Sequence, residues 1–260
     1  VGVGEATLLN FKTFLKACGF NLNEWFNELD STEKLGILFP NWVKKKQNIY
    51  HPFVTNITSA KNYKKTLTQK LQNNSNVAYH VDCGKLIGYI KNKLKEKIVF
   101  KKLSLKEVIY KDNLIEKLIL KNNEEITGDL YIDCTGFKSI LKKNFKKVNL
   151  KDRLICDTAV AGSINYLNEK IEKTSFVKCD AVDEGWVWSI PVKKRIGSGF
   201  IFNREITKIE DAKLFFINFW NKRIKKENIK TIDWTPFYQE EIWNKNVVSI
   251  GLSAGFIEPL

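Results

Sequence analysis

The sequence contains no methionine, only two histidines and only five prolines. Its five cysteines (Cys18, Cys83, Cys134, Cys156 and Cys179) never fall in a Cys-x-x-Cys spacing. With so few histidines there is no zinc-type ligand set, and metal catalysis is not expected. An odd number of scattered cysteines fits reduced thiols in a cytoplasmic protein. No run approaches the ~18 apolar residues of a membrane span, and no signal peptide is visible. There is no internal repeat and no low-complexity linker. A chain without methionine does not open at a natural start, so an internal segment of a longer protein is expected.

What is present is ordinary for a globular protein: 260 residues, of which 43% are hydrophobic. The net charge of +14 raises the possibility of a nucleic-acid partner. The basic residues argue against one, because they run from Lys12 to Lys245 without a dominant patch interleaved with aromatics. Abundant Lys, Asn and Ile match an AT-rich coding sequence. A positive field would still draw in small anions.

The most informative stretch is Gly185-Trp186-Val187-Trp188-Ser189-Ile190-Pro191. In an extended strand, alternate side chains share a face, so both indoles project the same way. The glycine permits close approach of another backbone or ring, and the proline ends the strand. A pair of core-facing aromatics would give the same pattern.

Periodicity predicts alternating elements at both ends and consecutive strands between them. Helices are expected from about residue 6, over 24–29, over 61–71, after Asp82 and over 209–225. Strands are expected at 1–3, 35–39, 76–81, 114–120, 128–133, 158–166, 175–182, 186–190, 199–203 and 247–250. Asp82 suits a helix N-cap, and His80 ends a strand beside it with no catalytic role. Strand and helix in this order suggest an α/β layer joined to a larger antiparallel sheet.

Several blocks keep company with the tryptophan pair. The chain opens Val1-Gly2-Val3-Gly4-Glu5-Ala6-Thr7, then carries Lys34-Leu35-Gly36-Ile37 with Phe39 and Trp42, and His51-Pro52-Phe53. Later come Asp129-Leu130-Tyr131-Ile132-Asp133-Cys134-Thr135-Gly136-Phe137 and the closing run from Asn246 to Leu260, with Gly251-Leu252-Ser253-Ala254-Gly255 at its centre. In this order the blocks resemble the flavin-dependent tryptophan halogenases.

The resemblance implies an FAD/NAD(P)-binding three-layer flavoprotein fold with an interleaved antiparallel substrate-side sheet. It implies one interleaved domain over 1–260, with a flavin layer at about 1–30, 77–150 and 245–260 and a substrate layer at about 31–76 and 151–244. It also implies FAD, used as FADH2 with oxygen, and chloride or bromide as co-substrate. A separate flavin reductase would supply FADH2, and the substrate would be tryptophan or another indole. Neither nucleic acid nor a membrane is an expected partner, and a homodimer is left open.

The site residues follow from the same resemblance. Lys34 would be catalytic, meeting hypohalous acid either as an ammonium that polarises it or as an amine that forms a chloramine. His51 and Phe53 would hold the indole, and a turn anchored by His51-Pro52 is the structural alternative. Trp186 and Trp188 would stand as a partition between flavin and substrate. Val1, Val3, Gly4, Glu5, Ala6, Thr7, Asp133, Thr135, Gly136, Gly251 and Leu252 would line the flavin, with Val108 as a backbone contact. Close helix-on-strand packing would explain many of these equally well. Glu258 reads better as a helix-start carboxylate than as the catalytic base.

The chain departs from the family pattern at three places. The glycine-rich dinucleotide fingerprint and its β-α-β unit would lie upstream of Val1. Leu8 and Leu9 stand where the family has proline. The chain stops at Glu258-Pro259-Leu260, where the family continues into a Glu-Ser-Thr-Gly run with a second catalytic carboxylate and the halide site. An internal, inactive segment is therefore expected. A flavin monooxygenase that hydroxylates aromatic rings, and a decayed non-catalytic fragment, are the competing readings.

Overall fold

A computed structural model describes residues 5–53, 77–142 and 146–257. Val1, Val3, Gly4, Glu258, the first expected strand and the helix expected over 61–71 lie outside these residues. The fold is mixed α/β with several sheets, and the chain divides into two compact units. The first comprises Val1–Lys97 and Thr158–Ile232, the second Ile98–Asp157 and Asp233–Leu260.

The first unit holds a seven-stranded sheet. In spatial order its strands are Lys230–Asp233, Thr158–Asn165, Arg195–Phe202, Gly185–Pro191, Phe176–Val182, Gly36–Pro40 and Asn48–Pro52. From Thr158–Asn165 to Asn48–Pro52 the neighbours run antiparallel, except Phe176–Val182 with Gly36–Pro40, which run parallel. Thr158–Asn165 and Arg195–Phe202 are buried along almost their whole length, on both faces. That is why they read as continuous apolar runs instead of alternating ones. One face packs under the helix Ile209–Phe219, where Val160, Val187, Phe200, Phe202 and Phe216 form a core. The register places Trp186, Trp188, Cys179, Ile37 and His51 on the other face.

A smaller sheet of the same unit has Ala78–Val81 at its centre, flanked by Glu5–Ala6 and Thr32–Lys34. Tyr79 and Val81 point outward into a core with Leu15, Trp25, Leu29 and Tyr89 from the helices Phe11–Ala17, Leu22–Glu28 and Cys83–Leu94. Burying a side chain such as Leu29 completely contributes about 1.5–3 kcal/mol. Thr32, Lys34, Ala78 and His80 take the opposite face.

In the second unit, Leu105–Lys111, Leu114–Leu120 and Glu125–Ile126 form an antiparallel meander. Tyr131–Asp133 pairs in parallel with Val247–Ser249, which also takes Trp243–Asn244. A third sheet joins Lys147–Asn149, Phe237–Gln239 and Gly255–Phe256.

Most expected elements are present, with three instructive differences. The first helix starts at Phe11 because Glu5 and Ala6 pair instead with the strand Ala78–Val81, and Thr7 N–H donates to Tyr79 O at 2.8 Å. The last helix ends at Phe219, since Asn221 and Lys222 turn to positive φ of 49° and 60°. Leu105–Lys111 was not anticipated as a strand, because Lys106 and Glu107 sit together in it and break the alternation. Asp82 caps its helix as expected, accepting from Lys85 N–H at 3.1 Å.

Candidate functional site

Lys34 ends an edge strand whose inner face is closed off by the seven-stranded sheet, so its side chain is buried. The amine donates to the Thr7 carbonyl at 3.2 Å and lies 5.1 Å from the centre of the Phe53 ring. Phe53 is brought there by its own N–H, which donates to Leu35 O at 2.9 Å. Three blocks far apart in sequence, around Thr7, Lys34 and Phe53, thus meet at one nitrogen.

Burial pushes the Lys34 ammonium below the usual lysine range, and the Cys179 and Glu5 charges act the other way. The Cys179 thiol is itself pushed up to about 12, first by burial and then by Asp180. It carries no charge near neutral pH, which leaves Glu5 as the counter-charge that matters there. Glu5 is exposed, so solvent weakens its pull. The Thr7 carbonyl and the Phe53 ring face both favour the ammonium form.

His51 is exposed and Phe53 half-buried; their rings meet edge to face at 6.1 Å and 78°. Trp186 and Trp188 share a face as the strand geometry demands, with ring centres 6.3 Å apart. Trp186 is buried, whereas Trp188 is partly open. Trp188 lies across Gly199, where a Cβ would come within 2.1 Å of the indole. Position 199 is therefore glycine because the indole occupies the space.

The sequence reading missed Cys179 beside Lys34 and the polar cluster at His80. Neither carries a local signal, since both depend on pairing between distant strands. His80 is fully enclosed, and its Nδ1 lies 2.9 Å from Thr32 Oγ1, which donates to Pro191 O at 2.5 Å. Burial and the charge on Lys34 push the imidazole down to about 3. The unfolded ring binds a proton below about 6.5 while the folded one refuses it. Stability is therefore full above that pH and declines as pH falls from about 6.5 toward about 3. Urea unfolding is expected to give a stability about 2 kcal/mol lower at about pH 5 than at about pH 7.5. His80→Asn, which has nothing to titrate at that position, should flatten the slope; an equal slope in both proteins would contradict this account.

The second unit contains a separate cluster. The parallel strands Tyr131–Asp133 and Val247–Ser249 end side by side, and each continues into a short 3-10 turn, Gly136–Lys138 and Gly251–Ser253. The buried Asp133 carboxylate accepts from Thr135 N–H (2.8 Å), Thr135 Oγ1 (2.6 Å) and Leu141 N–H (3.0 Å). Ser253 Oγ lies 3.1 Å from both Asp133 Oδ1 and the Gly136 carbonyl, tying the two turns together. Gly136 and Gly251 have φ of +72° and +58°, and among the described residues nothing lies within 4 Å of where a Cβ would be. Open backbone just past the carboxyl ends of parallel strands is where open α/β sheets receive ligands. These residues fit a dinucleotide approaching the main chain. Val108 sits in the meander, where its side chain packs against a core of Ile115, Tyr131, Leu141 and Val247.

Comparisons with known proteins bear on the family and the fold. The model of the tryptophan halogenase family matches residues 1–64 and 55–260. Tryptophan 6-halogenase ThaL of Streptomyces albogriseolus is 24% identical over 100% of this chain and 59% of its own length. Tryptophan 7-halogenase RebH of Lentzea aerocolonigenes is 23% identical over 100% of this chain and 59% of its own. The chain thus spans about three fifths of these relatives. Among solved structures, the tryptophan halogenase of Shewanella frigidimarina superposes with a TM-score of 0.86 at 26% identity, covering 100% of this chain and 58% of that one. Tryptophan 6-halogenase SttH of Streptomyces toxytricini gives a TM-score of 0.88 at 23% identity, over 100% of this chain and 61% of that one. The fold is that of the flavin-dependent halogenases, and the chain belongs to the tryptophan halogenase family.

Proposed function

We propose that this chain carries the reactive lysine of an FAD-dependent enzyme that halogenates tryptophan or another indole. Chloride or bromide would be the co-substrate, and a separate flavin reductase would supply FADH2. What supports this reading most is the single meeting point of Thr7, Lys34 and Phe53, because it places a buried amine against an aromatic ring inside a halogenase fold.

When bound, reduced FAD supplies hypohalous acid from oxygen and halide. The residues of this chain then have separate tasks. Lys34, anchored on the Thr7 carbonyl, donates a remaining ammonium hydrogen to the hypohalous oxygen and polarises the halogen–oxygen bond. His51 and Phe53 orient the indole; stacking adds only ~0.5–1.5 kcal/mol beyond burial, so their value is placement. Trp186 and Trp188 keep water and direct oxygen transfer away from the ring. The flavin contacts proposed in the first unit are Glu5, Ala6 and Thr7. Those proposed in the second are Val108, Asp133, Thr135, Gly136, Gly251 and Leu252.

The test is product analysis of the protein expressed from its full coding sequence, with tryptophan, reduced FAD, oxygen and halide. A halogenated indole that disappears when halide is withheld is the expected result. A hydroxylated product formed without halide would replace this reading with that of an aromatic hydroxylase.

A further inference from the structure

The chemistry assigned above leaves His80 without a task, yet its tautomer is determined. The Pro191 carbonyl has no hydrogen to give, so the one hydrogen of the Thr32 hydroxyl lies on the Pro191 side. Toward His80 the hydroxyl therefore presents a lone pair, and the hydrogen of that contact belongs to Nδ1. A neutral imidazole has one N–H, so Nε2 is left as a bare acceptor. That atom is buried and, among the described residues, has no hydrogen-bond partner.

Lys34 is its diagonal neighbour. Thr32 sits opposite His80 and Lys34 opposite Ala78, so both side chains rise from one face of the sheet. Near neutral pH the charge that bears on Lys34 is that of Glu5, the Cys179 thiol being neutral, and the one that bears on His80 is Lys34 itself. The amine spends one hydrogen on the Thr7 carbonyl and has others to offer.

We propose that His80 is a positioning residue for Lys34, its bare Nε2 serving as a second acceptor for the ammonium when the end of the lysine swings off the Thr7 carbonyl. Lys34 then has two fixed rest positions, one on each acceptor. A ring held as the Nδ1–H tautomer does not compete as a donor toward the amine, and its full burial keeps it from becoming a second cation there. The catalytic meaning of this contact rests on Lys34 being the halogenating lysine, but the contact itself is measurable without flavin, halide or substrate.

Nitrogen NMR of the 15N-labelled chain is expected to show a protonated Nδ1 and a bare Nε2 on His80 at neutral pH. Lys34→Met should move the Nε2 resonance, because its donor is gone. Titration of the Lys34 Nζ resonance should show an ammonium about tenfold more acidic in His80→Asn, which keeps a donor toward Thr32 but lacks the far acceptor. His80→Gln, which places an amide oxygen near the Nε2 position, should restore it. A protonated Nε2 in the wild-type chain, an Nε2 signal indifferent to Lys34→Met, or equal effects of Asn and Gln would each overturn the proposal. Because none of these measurements involves turnover, they fail or succeed separately from the halogenase reading.

Discussion

Lys34→Ala, made in the full coding sequence and supplied with reduced FAD, oxygen and halide, is expected to lose indole halogenation by about 10²–10³-fold while flavin oxidation continues. The magnitude follows from removing a pre-placed donor at the atom where charge develops, which typically costs 10²–10³-fold in kcat. Here the amine is also placed, with the Thr7 carbonyl as its acceptor and the Phe53 ring beside it. Alanine leaves nothing to grip the oxidant, which would then escape or react elsewhere. Flavin oxidation involves none of these contacts and should proceed at its usual rate. Free hypohalous acid in the medium, detected with a small-molecule trap, would account for the missing product. If the variant still chlorinates the indole at a comparable rate, Lys34 has no part in the reaction.

Gly185→Ala is expected to cost about 3 kcal/mol or more, or to prevent folding altogether. Gly185 opens the strand that carries both tryptophans, at a φ of +154°. A Cβ there would lie 1.9 Å from the Ile201 carbonyl oxygen and 3.2 Å from the Phe200 ring. The first of these contacts is with backbone in the paired strand, so no rotamer change relieves it. Relief requires the two strands to part, which disturbs the seats of Trp186 and Trp188 opposite Ile201 and Gly199. Urea unfolding followed by tryptophan fluorescence measures both consequences. Gly88→Ala is the control: it lies mid-helix with nothing among the described residues within 4 Å of a new Cβ, and should stabilise by about 0.5–1 kcal/mol. A Gly185→Ala protein as stable as wild type would mean that the strand pairing at Ile201 is not as described.

The two predictions bear on different kinds of information in the chain. Gly185, Trp186, Trp188 and Pro191 were readable because a strand repeats every two residues, so one short stretch of sequence already states which indoles share a face. Asp82 was readable as a cap for the same reason, since an N-cap and the amides it serves lie within three residues. The start of the first helix was not readable at residue 6, because whether Glu5 and Ala6 coil or pair depends on a strand more than seventy residues away. The strand Leu105–Lys111 was hidden for a related reason: its partner Leu114–Leu120, not its own alternation, holds it in place.

The candidate site divides along the same line. Motif blocks nominated Lys34, His51, Phe53 and the glutamate-alanine-threonine segment separately, each with a chemical task and none with a neighbour. That Thr7 offers its carbonyl to Lys34, that Cys179 stands beside the amine, and that Thr32 and Pro191 orient His80 followed only from the folded chain. Residue types and short spacings carry chemistry and local geometry, because those interactions close within a few bonds of one another. Burial, ionisation and tautomer depend on which distant segments are brought into register, and that is a property of the packed sheets alone.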